Sequence, residues 1–338
     1  MKFGLVLSTM YPLAGPARGH LEEWLGALRR AREYAFDAVF VGQHYLHDDL
    51  QMFQPLPLLA RACAERGHLR VGSAILLLPL MHPVDVAEQL ATLDVVADGH
   101  LIAGVGMGYR EMEFENFGID KRQRVGRFME ALECIRRLWT EEHVDYAGRH
   151  FTLRHAGLNP KPLQRPHPPL WIAAHSDAAV RRAATLGEAW LMSPHSALGT
   201  LATQVELYRE ARRAAGLTGG LWPLERETHI AATMAKAHAE ARPSLEEKYQ
   251  GYVRWGQEKE MPAGDRLDLA FEELARERFL IGDPDHCIAQ IEGYRERLGI
   301  EYMIFHIRRP GMPQQTVLDQ IDLLGREVLP HVLSAPSP

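Results

Sequence analysis

Short apolar runs alternate with amphipathic segments along most of this chain. The apolar runs are continuous, as expected for strands of a parallel sheet that is covered on both faces. In the segments between them apolar residues recur at helical spacing, as in 122–139, where Phe128, Leu132 and Ile135 share one stripe. The predicted strands span residues 3–8, 38–42, 70–79, 100–106, 168–174, 188–193, 226–235 and 300–307.

Eight strands, most of them followed by a helix, predict a closed (β/α)8 TIM barrel. Two segments interrupt the alternation. Residues 142–167 are rich in Pro, His and Gly and contain a candidate hairpin, whereas residues 236–281 are polar and mostly helical. We therefore predict one α/β domain over residues 1–338, with insertions at about 142–167 and 236–281, the second being a helical insertion before the last strand.

The stretch after the fourth strand has a glycine at every second position, Gly104, Gly106 and Gly108. The dinucleotide fingerprint G-x-G-x-x-G would require a third glycine where this chain has Tyr109. Residues 110–118 are predicted to form a polar and aromatic loop. Because the chemistry of a barrel lies at the carboxyl ends of its strands, we interpret the bare backbone as room for a flat ring or a phosphate.

Polar side chains follow several predicted strands. His44 has two interpretations: a hydrogen-bonded loop histidine near the surface, or a general acid/base at the barrel mouth. Ser176 is an expected helix N-cap, and the same helix start is a candidate anion site. Solvated charge is the interpretation for Glu111 and Glu115, whereas Glu113 is a candidate pocket residue.

Composition excludes several functional classes. The 338 residues carry a formal net charge of −6 without a basic patch, which argues against nucleic-acid binding. The three cysteines form no C-x-x-C pair, so a reducing cytoplasm is expected. No apolar run is long enough for a membrane span. The 17 histidines include no helical H-x-x-x-H or H-E-x-x-H pair, and no metal site is predicted.

Several segments together resemble the luciferase-like flavin-dependent oxidoreductases, which include bacterial luciferase, two-component flavin monooxygenases and deazaflavin-using relatives. The segments are "AVFVGQHY", "LPLMHPVDVAEQLATLD" with "DGHLIAGVGMGY", and "PPLWIAAHSDAAVRRAATLGEAWL". The resemblance covers nearly the whole chain. It implies a TIM barrel with reduced FMN across its mouth and the isoalloxazine ring toward the strand ends.

The resemblance also implies roles for individual residues. His44 would assist proton transfer, a non-prolyl cis peptide would join Ala74 to Ile75 behind the ring, and the FMN phosphate would lie near His175 and Ser176. The implied cofactor-binding residues are Ala74, Ile75, Gly106, Met107, Tyr109, Ala174, His175 and Ser176. The candidate substrate residues are Met10, Tyr11, Tyr45, Glu113 and Met192.

One departure concerns the phosphate. Bacterial luciferase has cysteine and arginine where this chain has Gly106 and Met107. A different phosphate contact is therefore expected here, and Arg110 and Arg124 are the candidates.

The implied activity is that of a monooxygenase. Reduced FMN and O2 would form a 4a-hydroperoxyflavin that oxygenates a small apolar or amphipathic substrate, and a separate NAD(P)H:flavin reductase would supply the reduced flavin. The alternative is a coenzyme F420-dependent reductase or dehydrogenase that transfers hydride on the same barrel. The lack of a dense Lys/Arg cluster near a strand end favours FMN. A flavin-binding protein without turnover is a third possibility, and a cytoplasmic homodimer or homotetramer is expected.

Overall fold

A computed structural model describes residues 1–333 of the chain. The strands that it contains are β1 (Lys2–Val6), β2 (Met10–Pro12), β3 (Ala38–Val41), β4 (Leu50–Met52), β5 (Arg70–Ser73), β6 (Leu76–Leu77), β7 (Leu101–Gly106), β8 (Val144–Ala147), β9 (Thr152–Ala156), β10 (Leu170–Ala174), β11 (Ala189–Met192), β12 (Leu224–Ile230), β13 (Phe279–Gly282) and β14 (Tyr302–His306).

Eight of these strands close into a barrel in which every pairing is parallel. Their order around the barrel is β1, β3, β5, β7, β10, β11, β12 and β14, and β14 pairs back onto β1. Each of the eight overlaps a predicted strand, and the predicted TIM-barrel fold is confirmed.

Helices surround the barrel. They are α1 (Ala17–Ala31), α2 (Pro55–Cys63), α3 (Pro83–Val96), α4 (Glu111–Asn116), α5 (Arg124–Thr140), α6 (Asp177–Leu186), α7 (Leu198–Ala214), α8 (Met234–Arg254), α9 (Phe271–Arg278), α10 (Pro284–Leu298), α11 (Gln314–Leu323) and α12 (Leu329–Leu333). Local chemistry sets several starts. Pro83 occupies the first turn of α3, where a missing N–H costs nothing, and the His82 side chain accepts from the Val84 N–H.

The barrel interior is filled by large side chains from several strands. Phe40, Trp171, Tyr302 and Ile304 belong to one buried cluster. Phe40 packs against both Trp171 and Tyr302, with ring centroids 5.4 and 6.4 Å apart. This packed plug confines open space to the ends of the barrel.

Two predicted elements differ from those observed. The seventh barrel strand is Leu224–Ile230 instead of 226–235, because Thr233 accepts a hydrogen bond from the Lys236 N–H and so caps α8. The predicted loop 110–118 contains the helix α4. A helix of six residues is too short for its apolar period to be recognised in the sequence.

The two segments that interrupt the alternation have structure of their own. In the first, β8 and β9 pair antiparallel, as the predicted hairpin requires. The second contains most of α8, all of α9 and most of β13, a strand that the sequence pattern did not indicate. Its apolar side chains, among them Leu245, Tyr249, Phe271 and Phe279, form a separate cluster. The strand β13 pairs in parallel with the barrel strand β12. Since side chains of both β13 and α8 belong to this cluster, the cluster holds α8 beside one end of the barrel.

Candidate functional site

A cavity of about 400 Å³ opens at the end of the barrel where the strands terminate, and α8 forms one of its walls. Most residues predicted for the site lie on its surface. They are Met10, His44, Ala74, Ile75, Gly106, Met107, Tyr109, Ala174, His175, Ser176 and Met192.

Three predicted pocket residues lie outside the cavity lining. The ring of Tyr11 is buried, and the guanidinium carbon of Arg308 lies 4.8 Å from its centroid. Tyr45 packs on Phe117, with ring centroids 4.8 Å apart. Both tyrosines therefore point into neighbouring packing instead of the pocket. Glu113 is fully buried and lies behind the wall.

Glu113 contacts the candidate acid/base His44. Its Oε1 accepts hydrogen bonds from His44 Nδ1 at 3.0 Å and from the backbone N–H of Tyr45 at 2.9 Å, and Arg110 Nη1 lies 3.5 Å away. Burial alone would raise the pKa of Glu113, but the His44 and Tyr45 hydrogen bonds and the Arg110 charge outweigh it and lower the pKa. A carboxylate only accepts, so Nδ1 carries the proton. Nε2 is left for a ligand in the cavity.

The glycines of β7 are explained by close packing against the end of β5. The peptide between Ala74 and Ile75 is cis, as the resemblance implied. A Cβ on Gly106 would lie 2.6 Å from Ile75 Cδ1. The Gly104 carbonyl accepts from Ser73 Oγ at 2.7 Å, and the Gly104 N–H donates to the same hydroxyl at 3.0 Å. The result is a flat wall on this side of the cavity, and a dinucleotide fingerprint is not needed to account for it.

The start of α6 lies on another part of the wall. Ser176 is the N-cap residue, as predicted, but its hydroxyl makes no capping hydrogen bond. Gln257 Nε2 donates to His175 Nδ1 at 2.8 Å. Burial lowers the pKa of His175 to about 4, so this imidazole is neutral at neutral pH. The Ser176 hydroxyl and the first N–H groups of α6 thus form a region that suits an anion.

Arg124 adds a positive charge near this helix. It lines the cavity, and its Nη2 donates to Glu260 Oε2 at 2.6 Å. Burial and, to a lesser degree, the charge of Arg124 lower the pKa of Arg182 on α6. Arg110, the other candidate for a phosphate contact, is buried against Glu113 and outside the cavity lining.

Known proteins match this chain over almost its whole length. The model of the family described as luciferase-like monooxygenase matches residues 1–301. The chain belongs to this luciferase-like family. An F420-dependent glucose-6-phosphate dehydrogenase of Microbacterium testaceum is 28% identical over 321 residues, which cover 89% of this chain and 90% of the relative.

Two further luciferase-like proteins carry names of monooxygenases. The oxygenase component of the flavin-dependent trigonelline monooxygenase of Acinetobacter baylyi is 23% identical over 314 residues, covering 87% of this chain and 84% of the relative. The crystal structure of monooxygenase RslO1 from Streptomyces bottropensis has a TM-score of 0.86 and 26% identity, covering 98% of this chain and 100% of that one.

Membership confirms the resemblance drawn from the sequence and makes the chain an oxidoreductase of the luciferase-like family. The names of the relatives divide between flavin and F420. The choice of cofactor therefore depends on the cavity itself.

The luciferase-like barrel also has cavity residues that the sequence pattern did not single out. They are Glu225, Lys248, Tyr252 and His306. One signal was available, since glutamates alternate at positions 225 and 227 within an otherwise strand-like segment. No comparable signal marked Lys248, because the polar composition of 236–281 does not indicate which face of α8 meets the barrel.

The side-chain clusters and helices of residues 1–333 bear on metal binding and membrane insertion. Within this range, no group of three or more His, Cys, Asp or Glu side chains is placed to hold a metal ion. None of the helices in the same range is both long and apolar enough to cross a bilayer.

Proposed function

We propose that this protein is an FMN-dependent monooxygenase that uses reduced FMN and O2 to oxygenate a small amphipathic substrate. The observation that carries the proposal is the charge of the cavity: one anion-binding region, next to walls that are otherwise apolar or balanced in charge. This arrangement fits a cofactor with a single phosphate.

The shape of the cavity fits the flavin ring. The wall formed by Ala74, Ile75 and Gly106 is flat and leaves no space for a further Cβ. Tyr109 lines the same cavity, and its buried hydroxyl has no hydrogen-bond partner within residues 1–333. The isoalloxazine ring has a polar edge that suits such an unpartnered group.

The charged side chains that line the cavity include four carboxylates and three cations. They are Asp49, Glu225, Glu247, Glu260, Arg124, Lys248 and Arg254. A phosphate with a charge of about −2 can be held by Ser176, the start of α6 and Arg124. F420 carries a tail of glutamates in addition to its phosphate, and such a tail would meet the carboxylates of this mouth. The balance of charge therefore supports FMN.

Bound reduced FMN supplies the electrons that allow O2 to react with a substrate. The protein supplies a proton-transfer group and a sheltered site. Because Glu113 keeps the proton on His44 Nδ1, Nε2 can take a proton from the reacting groups and return it. Trp255 packs over this imidazole, with ring centroids 6.0 Å apart, and limits the access of water.

The substrate and the reductase are part of the proposal. Met10, Met107, Leu191 and Met192 give the cavity apolar, adaptable walls, which favour a substrate with an apolar body. A relative named as the oxygenase component of a monooxygenase supports a separate flavin reductase as the source of reduced FMN.

A second candidate is an F420-dependent dehydrogenase. The buried contact between His44 and Glu113 supports it, since a base oriented by a carboxylate can remove a hydroxyl proton while hydride leaves the adjacent carbon. The relatives named for F420 support it as well.

An anaerobic titration distinguishes the two functions. The purified protein is titrated with reduced FMN and, separately, with reduced F420, and each mixture is then exposed to air. We expect tight binding of reduced FMN, followed by an absorbance change on air that differs from that of free FMN. Tight binding of F420 alone, inert to air, would replace the monooxygenase with a hydride-transfer enzyme.

Arg124→Met tests the phosphate contact. We expect FMN to bind about 10-fold to 100-fold more weakly, because a hydrogen bond to a charged group contributes roughly 1.5–3 kcal/mol. Riboflavin lacks the phosphate and should bind wild type and variant equally well. Arg122→Met, which removes an exposed arginine paired with Asp120, is the matched control and should change neither affinity. Equal losses for FMN and riboflavin would place the phosphate elsewhere.

A further inference from the structure

A polar cluster lies across the barrel from the flat wall. In the order of the strands, β12 is opposite β5, and β14 is opposite β7. The strands β5 and β7 bring Ala74, Ile75 and Gly106 to the cavity, whereas β12 and β14 contribute Glu225 and His306. The side of the cavity opposite the proposed flavin wall therefore carries polar and charged side chains.

Hydrogen bonds connect the side chains of this cluster one to the next. Lys248 Nζ on α8 donates to Glu227 Oε1 at 2.5 Å and to His306 Nε2 at 3.4 Å. On the other side of the imidazole, His306 Nδ1 donates to Glu225 Oε1 at 3.0 Å. Contacts on both ring nitrogens fix the imidazole, and through it the Glu225 carboxylate.

The Oε2 atom of Glu225 is the acceptor in this cluster that is available to a ligand. Glu225 lines the cavity and uses only Oε1; in the part of the chain that the structure describes, no group donates to its Oε2. Lys248 also lines the cavity, and two of the three hydrogens on its ammonium are engaged. The cavity wall thus presents a fixed acceptor and a nearby donor.

The charges of the cluster balance. Glu225 and Glu227 are negative, and Lys248 is positive. Arg309 is a second positive group. It is counted with the cluster because it is buried near Glu227 and donates a hydrogen bond to the Thr228 carbonyl. These two negative and two positive side chains offset one another, so the cluster has little net attraction for an anion or a cation. A neutral donor is the complementary ligand for the free carboxylate oxygen.

We propose that Glu225 recognises a hydroxyl group of the substrate, which donates to Oε2, and that the substrate is a neutral hydroxylated molecule with an apolar body. This assignment rests on the proposed function, in which the flat wall holds the flavin and leaves the β12–β14 side for the substrate. A site built to bind a hydroxyl discriminates strongly against an analogue without one, since its polar groups are then left unpaired.

Equilibrium dialysis with four bicyclic probes tests the assignment. The probes are naphthalene, 2-naphthol, 2-methoxynaphthalene and 2-naphthylmethylammonium, measured at neutral pH with FMN-saturated protein. We expect 2-naphthol to bind at least 10-fold more tightly than naphthalene. The methyl ether accepts a hydrogen bond but cannot donate one, so it should bind like naphthalene.

Variants at position 225 test whether the preference for 2-naphthol depends on Glu225. In Glu225→Gln the preference for 2-naphthol should fall several-fold, and in Glu225→Leu it should disappear, while naphthalene binds as in wild type. Glu296→Gln removes an exposed carboxylate on α10 and should leave all four affinities unchanged. Circular dichroism checks that each variant is folded.

Three results would overturn the assignment: equal binding of naphthol and its methyl ether, a preference that survives in both Glu225 variants, or tightest binding of the ammonium probe. The same measurements on cofactor-free protein separate this assignment from the proposed function. If FMN does not bind but the Glu225-dependent naphthol preference remains, only the cofactor proposal fails. If FMN binds and the preference is absent, only the hydroxyl assignment fails.

Discussion

Replacement of His44 by alanine is expected to lower turnover by about 10²-fold to 10⁴-fold, the usual contribution of a positioned acid/base group. FMN affinity should stay within about threefold of wild type, because the phosphate region and the flat wall are unchanged. The measurement is product formed in a single turnover of a substrate that wild type accepts, together with an FMN titration. Turnover within about threefold of wild type would leave His44 a structural role only.

Glu113→Gln tests how much the Glu113 carboxylate contributes by orienting the His44 imidazole. The amide oxygen can still accept from the Tyr45 N–H, but it no longer offers a charge to His44 Nδ1. We expect a loss of turnover smaller than that of His44→Ala, and no further loss when the two changes are combined. A loss that multiplies in the double variant would show that the two residues act independently.

His47→Leu is the matched control. The His47 ring lies 6.0 Å from that of His44, and neither of its nitrogens has a hydrogen-bond partner in the described range 1–333. An apolar side chain in its place costs no hydrogen bond, so the loop should keep its conformation. If His47→Leu matched the effect of His44→Ala, the loss would reflect the loop and not the acid/base group.

Lys248→Met is expected to lower the free energy of unfolding by about 3–5 kcal/mol, because within residues 1–333 it removes the only hydrogen bond to the buried Glu227 carboxylate. Urea unfolding at neutral pH measures this. Lys236→Met is the control, since its pair with Glu240 is exposed, and a surface pair contributes only about 0–1 kcal/mol. The double change Lys248→Met with Glu227→Gln should recover much of the loss. A loss below about 1 kcal/mol for Lys248→Met would contradict a strong buried pair.

The pH dependence of stability follows from the same pair. Burial by itself would raise the pKa of Glu227, but His306, Lys248 and Arg309 outweigh it and lower the pKa to about 2. A folded-state pKa below the unfolded value of about 4.3 stabilises the protein above that pH, by roughly 3 kcal/mol. This contribution should be lost as the pH falls from about 4.3 toward 2. In Lys248→Met that acid-dependent component should shrink.

Most of the eight barrel strands were predictable because they contain apolar residues buried on both faces, a property that such a strand carries in its own sequence. The strand β12 is the exception, since it contains Glu225, Arg226 and Glu227. Strand order then placed His44, His175 and Ser176 at one end of the barrel without any knowledge of side-chain contacts. The boundaries were less accurate where a cap intervened, as at Thr233, which ends the strand-like segment by starting α8.

The direction of individual side chains was not predictable from local pattern. Tyr11 and Tyr45 follow strands as expected, yet the structure packs them against Arg308 and Phe117 instead of the cavity. The sequence pattern of an aromatic residue after a strand is the same whether its side chain points into the cavity or away from it. The choice depends on partners that are distant in the chain.

Local sequence thus accounts for the barrel, the end at which the cavity opens and the family, because apolar periodicity and strand order are properties of short segments. The contacts of His44 with Glu113, and of Glu225 with His306, join residues 69 and 81 positions apart. Lys248 reaches the second cluster only because the insertion has its own apolar core, which holds α8 beside the barrel. Such contacts follow from the closure of the barrel and the packing of the insertion, and neither is encoded in any one segment.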